Sequence, residues 1–184
     1  MGNAFSSHSS SLPLFGIAGW SNSGKTRLIE RLATHFSGEG LRVATIKHTH
    51  HKFDIDAPGS DTARHRAAGA AETAIVSGSR VAFIEEIDSA GEPSLEAVAA
   101  RLRPADVILV EGFKSANIPK IEVRRAAVAP EKLLAPNDPL VLGIAADYEV
   151  DAHGKPVFDL DDIDNIAALI VRTLGPFNRV RQRA

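Results

Sequence analysis

Along the chain, short apolar runs alternate with stretches of helical period. Residues 14–19 (LFGIAG) are an apolar run that closes on Gly19 and predict a buried strand. Over 24–36, Leu28, Ile29, Leu32, Ala33 and Phe36 recur at helical spacing, and Gly38 and Gly40 stop the pattern. Residues 41–47 alternate as a second strand. The polar stretch 49–61, with Pro58-Gly59 inside it, predicts a loop, and 62–68 a short helix. Strands at 72–76 and 80–84 flank Ser77-Gly78-Ser79 and predict a hairpin. Pro93 suits the start of a helix over 95–102. DVILV at 106–110 is an uninterrupted apolar strand of the kind buried on both faces. Further strands are predicted at 120–123 and 140–145. A closing helix spans 163–174, with aspartates on its N-terminal side and Gly175 just past its end. Strands alternating with helices predict an α/β fold, a mostly parallel sheet with helices on both faces and a small β-hairpin insertion.

One motif gives this pattern a chemistry. Gly19-Trp20-Ser21-Asn22-Ser23-Gly24-Lys25-Thr26 fits G-x-x-x-x-G-K-[ST] at every fixed position, between an apolar strand and an amphipathic helix. Glycines at both ends let the backbone turn tightly and bring N–H groups onto phosphate oxygens. The helix N-terminus beyond Gly24 adds the positive end of its dipole. Lys25 supplies a compact cation to the β- and γ-phosphates, and Thr26 a hydroxyl to Mg²⁺. The fold class is therefore P-loop NTPase-like, and residues 19–27, including Arg27, are candidate nucleotide-binding residues.

A phosphate loop needs a second, acidic ligand for Mg²⁺ at the end of a neighbouring strand. Glu111, closing VILVEG, is the candidate, because ligands of α/β folds bind at the carboxyl ends of strands. Most phosphate-loop proteins carry Asp there. Between the two motifs stand Ile46-Lys47-His48-Thr49-His50-His51 and then Asp54, Asp56 and Asp61. This stretch reads as a polar wall of the nucleotide site rather than as a zinc site, with Lys47 against the nucleotide and the aspartates near Mg²⁺ or its waters. Among them Asp56 is the candidate metal ligand and Asp61, with Lys25, the candidate catalytic residue. The sequence leaves open which aspartate of this loop meets the metal.

Composition narrows the classes. Lys+Arg total 21 against Asp+Glu 23, a formal net charge of -2, without the basic excess of a nucleic-acid-binding protein. Aromatics at 5% are too few for base stacking. There is no Cys, which removes disulfides, thiolate chemistry and Cys-ligated zinc. No apolar run approaches the ~18 residues of a membrane span, so a soluble, cytoplasmic protein is expected. The Ser-rich residues 1–13 read as a flexible extension, although MGNAFS fits the permissive N-myristoylation pattern. Residues 176–184 read as a basic tail.

The motifs GWSNSGKT, IKHTHH, DIDAPGSDT, HRAAGA and VILVEGFK stand here in the order found in the molybdopterin-guanine dinucleotide biosynthesis protein B (MobB) family, which the chain resembles over about 14–174. That family is related to dethiobiotin synthetase, in which a strand-end Val-Glu-Gly supplies a Mg²⁺ ligand, so the resemblance implies Glu111 in that role. It also implies GTP and Mg²⁺ as cofactors, a homodimer, weak GTPase activity, and assistance to a guanylyltransferase partner that joins GMP to molybdopterin. Residues 14–175 would then be one GTP-binding domain.

Base choice needs its own residue. The Asn-Lys-x-Asp signature of common GTPases is absent. Gly143-Ile144-Ala145-Ala146-Asp147 is a strand running into an acidic turn, where a carboxylate can accept from the guanine N1–H and N2 amino group. The resemblance puts its guanine-reading Asp at the equivalent strand end, which implies Asp147. No Gln is placed to orient a water and no Arg finger is assignable, so hydrolysis is expected to be slow. Two alternatives stand beside the accessory role: an ATP-dependent kinase or ligase of the dethiobiotin-synthetase kind, with Lys47 binding a carboxylate or carbamate, and an interaction module with a vestigial phosphate loop.

Overall fold

A computed structural model of the chain describes residues 12–49, 53–87, 91–128 and 132–177. Most of the expected N-terminal extension, His50, His51 and most of the basic tail lie outside the described residues. The elements run β1 (Leu14–Gly19), α1 (Lys25–Gly38), β2 (Val43–Lys47), α2 (Asp61–Ala67), β3 (Glu72–Val76), β4 (Val81–Glu85), α3 (Leu95–Ala100), β5 (Val107–Glu111), β6 (Lys120–Arg124), β7 (Val141–Ala146), β8 (Val157–Asp159) and α4 (Ile163–Leu174). The chain divides into two compact units, one of Met1–His48 with Leu95–Ala184 and one of Thr49–Ser94.

The larger unit is a six-stranded sheet in the order β2-β5-β1-β6-β7-β8, and every neighbouring pair in it is parallel. Parallel strands need crossovers and bury both faces, which is why β1 and β5 read as continuous apolar runs. Phe15, Ile17, Leu109, Ile121 and Val123 lie in one core cluster with Leu28, Leu32 and Phe36 of α1 and Ile166 and Ile170 of α4. Leu14, Ile46, Ile108 and Val110 pack with Leu95 and Ala99 of α3 in a second cluster. Period-2 alternation along β1 and β5 thus feeds two of the core clusters, one with α1 and α4 and the other with α3. Asp162 caps α4 by accepting from Asn165 N at 3.4 Å, and Gly175 ends it at φ 83°.

The α/β class, the parallel sheet and the helices on both faces are as the sequence predicts. The last strand is not. Val157–Asp159 offers two apolar residues after Pro156, too short a run to announce a strand. It pairs with β7 because Gly143 leaves room for the Phe158 ring, where a Cβ would lie 2.9 Å from Cε2.

The smaller unit holds α2 and the antiparallel hairpin β3–β4, which pairs Val76 with Val81 one residue later than the sequence suggests. Ser77 closes its turn: its N–H donates to Arg80 O at 2.8 Å and its Oγ accepts from Arg80 N at 3.0 Å. Ser60 caps α2 by accepting from Ala63 N. None of this unit's described residues is buried.

Candidate nucleotide site

The phosphate loop leaves β1 at Gly19, whose φ of 149° lies in the region open to glycine. A Cβ there would stand 2.5 Å from Val123 O and 2.8 Å from Ser23 Oγ, so the loop passes directly over β6. Asn22 (φ 61°) and Gly24 (φ 96°) complete the turn, and Ser23 N donates to Trp20 O at 3.3 Å. Residues of this sort present successive N–H groups to one concavity, and α1 then begins with no acidic residue in its first turn. Ser23 Oγ is buried with no hydrogen-bond partner among the described residues, an orphaned donor in the cradle that a phosphate oxygen would satisfy. By this test the loop fits a phosphate.

Lys25 follows. Its Nζ folds back onto Trp20 O at 2.5 Å. Burial holds the ammonium below its ordinary value of 10.5, Glu111 opposes that shift, and Lys114 and Lys47 add to it. Lys25 thus sits among one carboxylate, Glu111, and two further ammonium groups, Lys47 and Lys114. Thr26 Oγ1 lies 3.1 and 3.2 Å from the two oxygens of Glu111, and Lys47 Nζ lies 3.3 Å from Oε1. The sheet register makes this meeting: Glu111 is opposite Ile17 on one side and Lys47 on the other. Gly112 turns away at φ 89°, with the space for a Cβ taken by His48, at 3.1 Å from both its Cβ and its O. The His48 ring stacks at 4.4 Å on Phe113. A hydroxyl and a carboxylate side by side, next to a phosphate cradle, are the protein donors that Mg²⁺ takes when substrate phosphates complete its shell. Among the described residues no three His, Cys, Asp or Glu side chains converge as a metal cage without phosphates.

Trp20 is held from two sides. Its Nε1 donates to Lys132 O at 2.7 Å, and Lys114 Nζ sits 3.5 Å over its ring in a cation–π contact. On the other side of the loop, Gly24, Arg27, Leu28, Arg125, Asp147, Asp159, Leu160 and Asp161 line a cavity of about 260 Å³. Asp147, just beyond β7, accepts from Ala126 N at 2.7 Å through Oδ1 and from Arg125 Nε at 3.4 Å through Oδ2. The cavity thus runs from the end of the phosphate loop to the expected base-reading carboxylate.

The aspartates of the 54–61 loop belong to the smaller unit and are engaged within it. Asp56 accepts from Arg66 at 2.8 Å, and Asp54 and Glu86 also pair with Arg66, at 3.1 and 3.0 Å. A backbone N–H from Asp56 and the Arg66 guanidinium hold the Asp54 carboxyl below its ordinary value. Asp61, in the first turn of α2, is exposed and stands 3.8 Å from Arg64.

The family model described as molybdopterin guanine dinucleotide synthesis protein B, MobB, matches residues 14–147, from the first residue of β1 to Asp147. The chain belongs to the MobB family. It is 37% identical over 171 residues to the molybdopterin-guanine dinucleotide biosynthesis adapter protein of Escherichia coli, covering 91% of this chain and 96% of that protein. The Haemophilus influenzae adapter protein is 34% identical, with 92% and 94% covered. Among solved structures, a molybdopterin-guanine biosynthesis protein B superposes with a TM-score of 0.67 at 29% identity, covering 88% of this chain and 98% of the other.

Not every feature around the site of this MobB-family chain is announced by its sequence. β6 carries Lys120, Glu122 and Arg124 on one face, a spacing that ordinarily marks a solvated side. All three are buried. Glu122 accepts from Arg124 Nη2 at 2.7 Å, Ala135 N at 2.8 Å and Leu134 N at 3.0 Å. Lys120 donates to Asp138 Oδ2 and Ala116 O, each at 2.8 Å. The available signal is the alternating sign of the three charges, which lets neighbours neutralise one another. Nothing in the sequence marks Arg125 and Ala126 as the partners of Asp147.

Proposed function

We propose that this chain is a GTP- and Mg²⁺-binding adapter in molybdopterin guanine dinucleotide biosynthesis, which presents the nucleotide to a guanylyltransferase partner and hydrolyses it slowly at most. One observation carries the reading: the cavity that opens at Gly24, where the phosphate loop ends, has the Asp147 carboxylate in its wall. Phosphates in the Gly19–Lys25 cradle and a purine in that cavity would be parts of one ligand. Guanine offers two adjacent donors to a carboxylate, whereas adenine offers a donor and an acceptor. Thr26 and Glu111 would hold Mg²⁺ against the phosphates, releasing Glu111 from Lys47. Likeness to adapter proteins of molybdopterin-guanine dinucleotide biosynthesis supports the pathway role.

Slow turnover fits the residues at hand. The single Gln of the chain, Gln182, stands in the tail, and Arg27 and Arg31 are both paired to Asp161. A homodimer is part of the proposal. Val76, Phe83 and Ile87 of the smaller unit are 73%, 74% and 58% exposed, on and beside a two-stranded sheet too small to be stable alone, and a second copy would cover them. The test is reconstitution: Mg²⁺-GTP, molybdopterin and the guanylyltransferase, with and without this chain. Stimulated product formation that is lost with Lys25→Ala supports the reading. Equal stimulation by Lys25→Ala overturns it in favour of a module that does not need its phosphate loop.

A further inference from the structure

We propose that Arg125 is a second specificity-determining residue of the base cavity and donates to the guanine O6 atom. This rests on Asp147 reading the guanine edge. That edge presents, in a row, an acceptor (O6), a donor (N1–H) and a donor (N2–H). A carboxylate can satisfy only the two donors. O6 then lies beside the carboxylate, and leaving it without a donor once the base is seated would cost binding.

Among the described residues, two cations line the cavity, Arg27 and Arg125. Arg27 stands 3.9 Å from Asp161, which Arg31 also engages, whereas Arg125 lies against Asp147 itself. Its contact there is a single one, Nε to Oδ2 at 3.4 Å, near the limit of a hydrogen bond. A guanidinium has five N–H donors, so most of its capacity remains for a neighbouring acceptor. The inner oxygen, Oδ1, is fixed at 2.7 Å by the N–H of the next residue, Ala126. Val128 N donates to Arg125 O at 3.0 Å and closes the turn that carries both residues. Adjacent backbone positions thus hold both oxygens of Asp147, and the carboxylate and guanidinium form one unit that presents acceptor, acceptor and donor. Guanine complements that row. Adenine meets it with a donor facing Arg125 and an acceptor facing Asp147, and because Asp147 is what holds the guanidinium in place, both mismatches are lost when that carboxylate is removed.

The test compares GTP with 6-thio-GTP, in which a weakly accepting sulfur replaces O6, by calorimetry on the full chain and its Arg125→Met and Asp147→Ala variants. The wild type should prefer GTP by about tenfold, the size of one hydrogen bond to a charged donor. Arg125→Met should weaken GTP about tenfold and leave 6-thio-GTP nearly unchanged, so that the preference vanishes. Arg125 is exposed, so this variant should melt with the wild type. A GTP to 6-thio-GTP ratio unchanged in Arg125→Met, while Asp147→Ala still abolishes the preference for GTP over ATP, overturns the role of Arg125 and leaves the base reading standing. A GTP preference over ATP that survives Asp147→Ala removes the base reading and this inference with it.

Discussion

Glu122→Gln should be among the most damaging single-atom changes in the molecule. Glu122 is fully buried and accepts three hydrogen bonds, two of them through Oε2 from Arg124 and Ala135 N. Glutamine keeps one acceptor oxygen and turns the other into an NH₂, which would face a donor whichever way the amide is flipped. Arg124, whose side chain is 3% exposed and whose Nε already has no hydrogen-bond partner among the described residues, would lose its counter-charge. Breaking a buried ion pair from one side costs about 3–5 kcal/mol. For a chain of this length each kcal/mol moves the melting temperature by about 2–4 °C, so a fall of about 6–20 °C is expected. The damage should also have an address. Leu134 and Ala135 are held by Glu122, and two positions earlier the Lys132 carbonyl holds the indole of Trp20, the only Trp of the chain. Thermal melts by circular dichroism, with Trp emission recorded below the transition, test both parts. The variant should melt early and its emission should shift to the red. A melting temperature within about 2 °C of wild type would refute the reasoning, because it would mean that Arg124 is not held as a buried, paired charge.

Other positions carry sharp expectations. Gly19→Ala places a Cβ 2.5 Å from Val123 O at a φ of 149°, so it should cost about 2 kcal/mol or more in a denaturant titration and abolish nucleotide binding. Glu111→Gln should raise the Mg²⁺ concentration needed for GTP binding by at least about tenfold, measured by titrating metal at fixed nucleotide, with little change in binding without metal. Asp138 gives a pH signature. Burial pushes its carboxyl up, but hydrogen bonds from Lys120 and Leu140 N outweigh that and hold it below the ordinary 3.8. A depressed folded value means that the stabilisation is complete above 3.8 and is lost as pH falls through the folded value. Asp138→Asn should therefore melt below wild type at neutral pH, and the gap should close in acid. A gap independent of pH would exclude the ion pair with Lys120 as its source.

What the sequence discloses follows from how each element is stabilised. β1 and β5 are buried on both faces and so appear as unbroken apolar runs, and the phosphate loop between β1 and α1 needs glycines that local geometry dictates. These features are legible one residue at a time. β8 is an edge strand held by the gap at Gly143, which no local pattern records. The charges of β6 look like a solvent face because Leu134 N and Ala135 N, which bind Glu122, and Asp138, which pairs with Lys120, come from a later segment. The Asp147 carboxylate could be picked out by its place at a strand end, but its orientation depends on Arg125 and Ala126 from the end of another strand. The reading of Asp56 as a metal ligand drew on its place beside the Pro58-Gly59 turn, which fixes the direction of the side chain but does not disclose its partners. Within its own unit that carboxylate is paired to Arg66, ten residues on.

Calorimetric titration of GTP and ATP, with and without Mg²⁺, into the wild type and Asp147→Ala reaches the core of the proposed function. GTP should bind at least about a hundredfold more tightly than ATP, because a site built to take the guanine donors leaves its carboxylate unmatched by adenine. In Asp147→Ala the two nucleotides should bind alike. ATP binding as tight as GTP binding in the wild type would contradict the guanine assignment and turn the site into that of an ATP-dependent kinase or ligase.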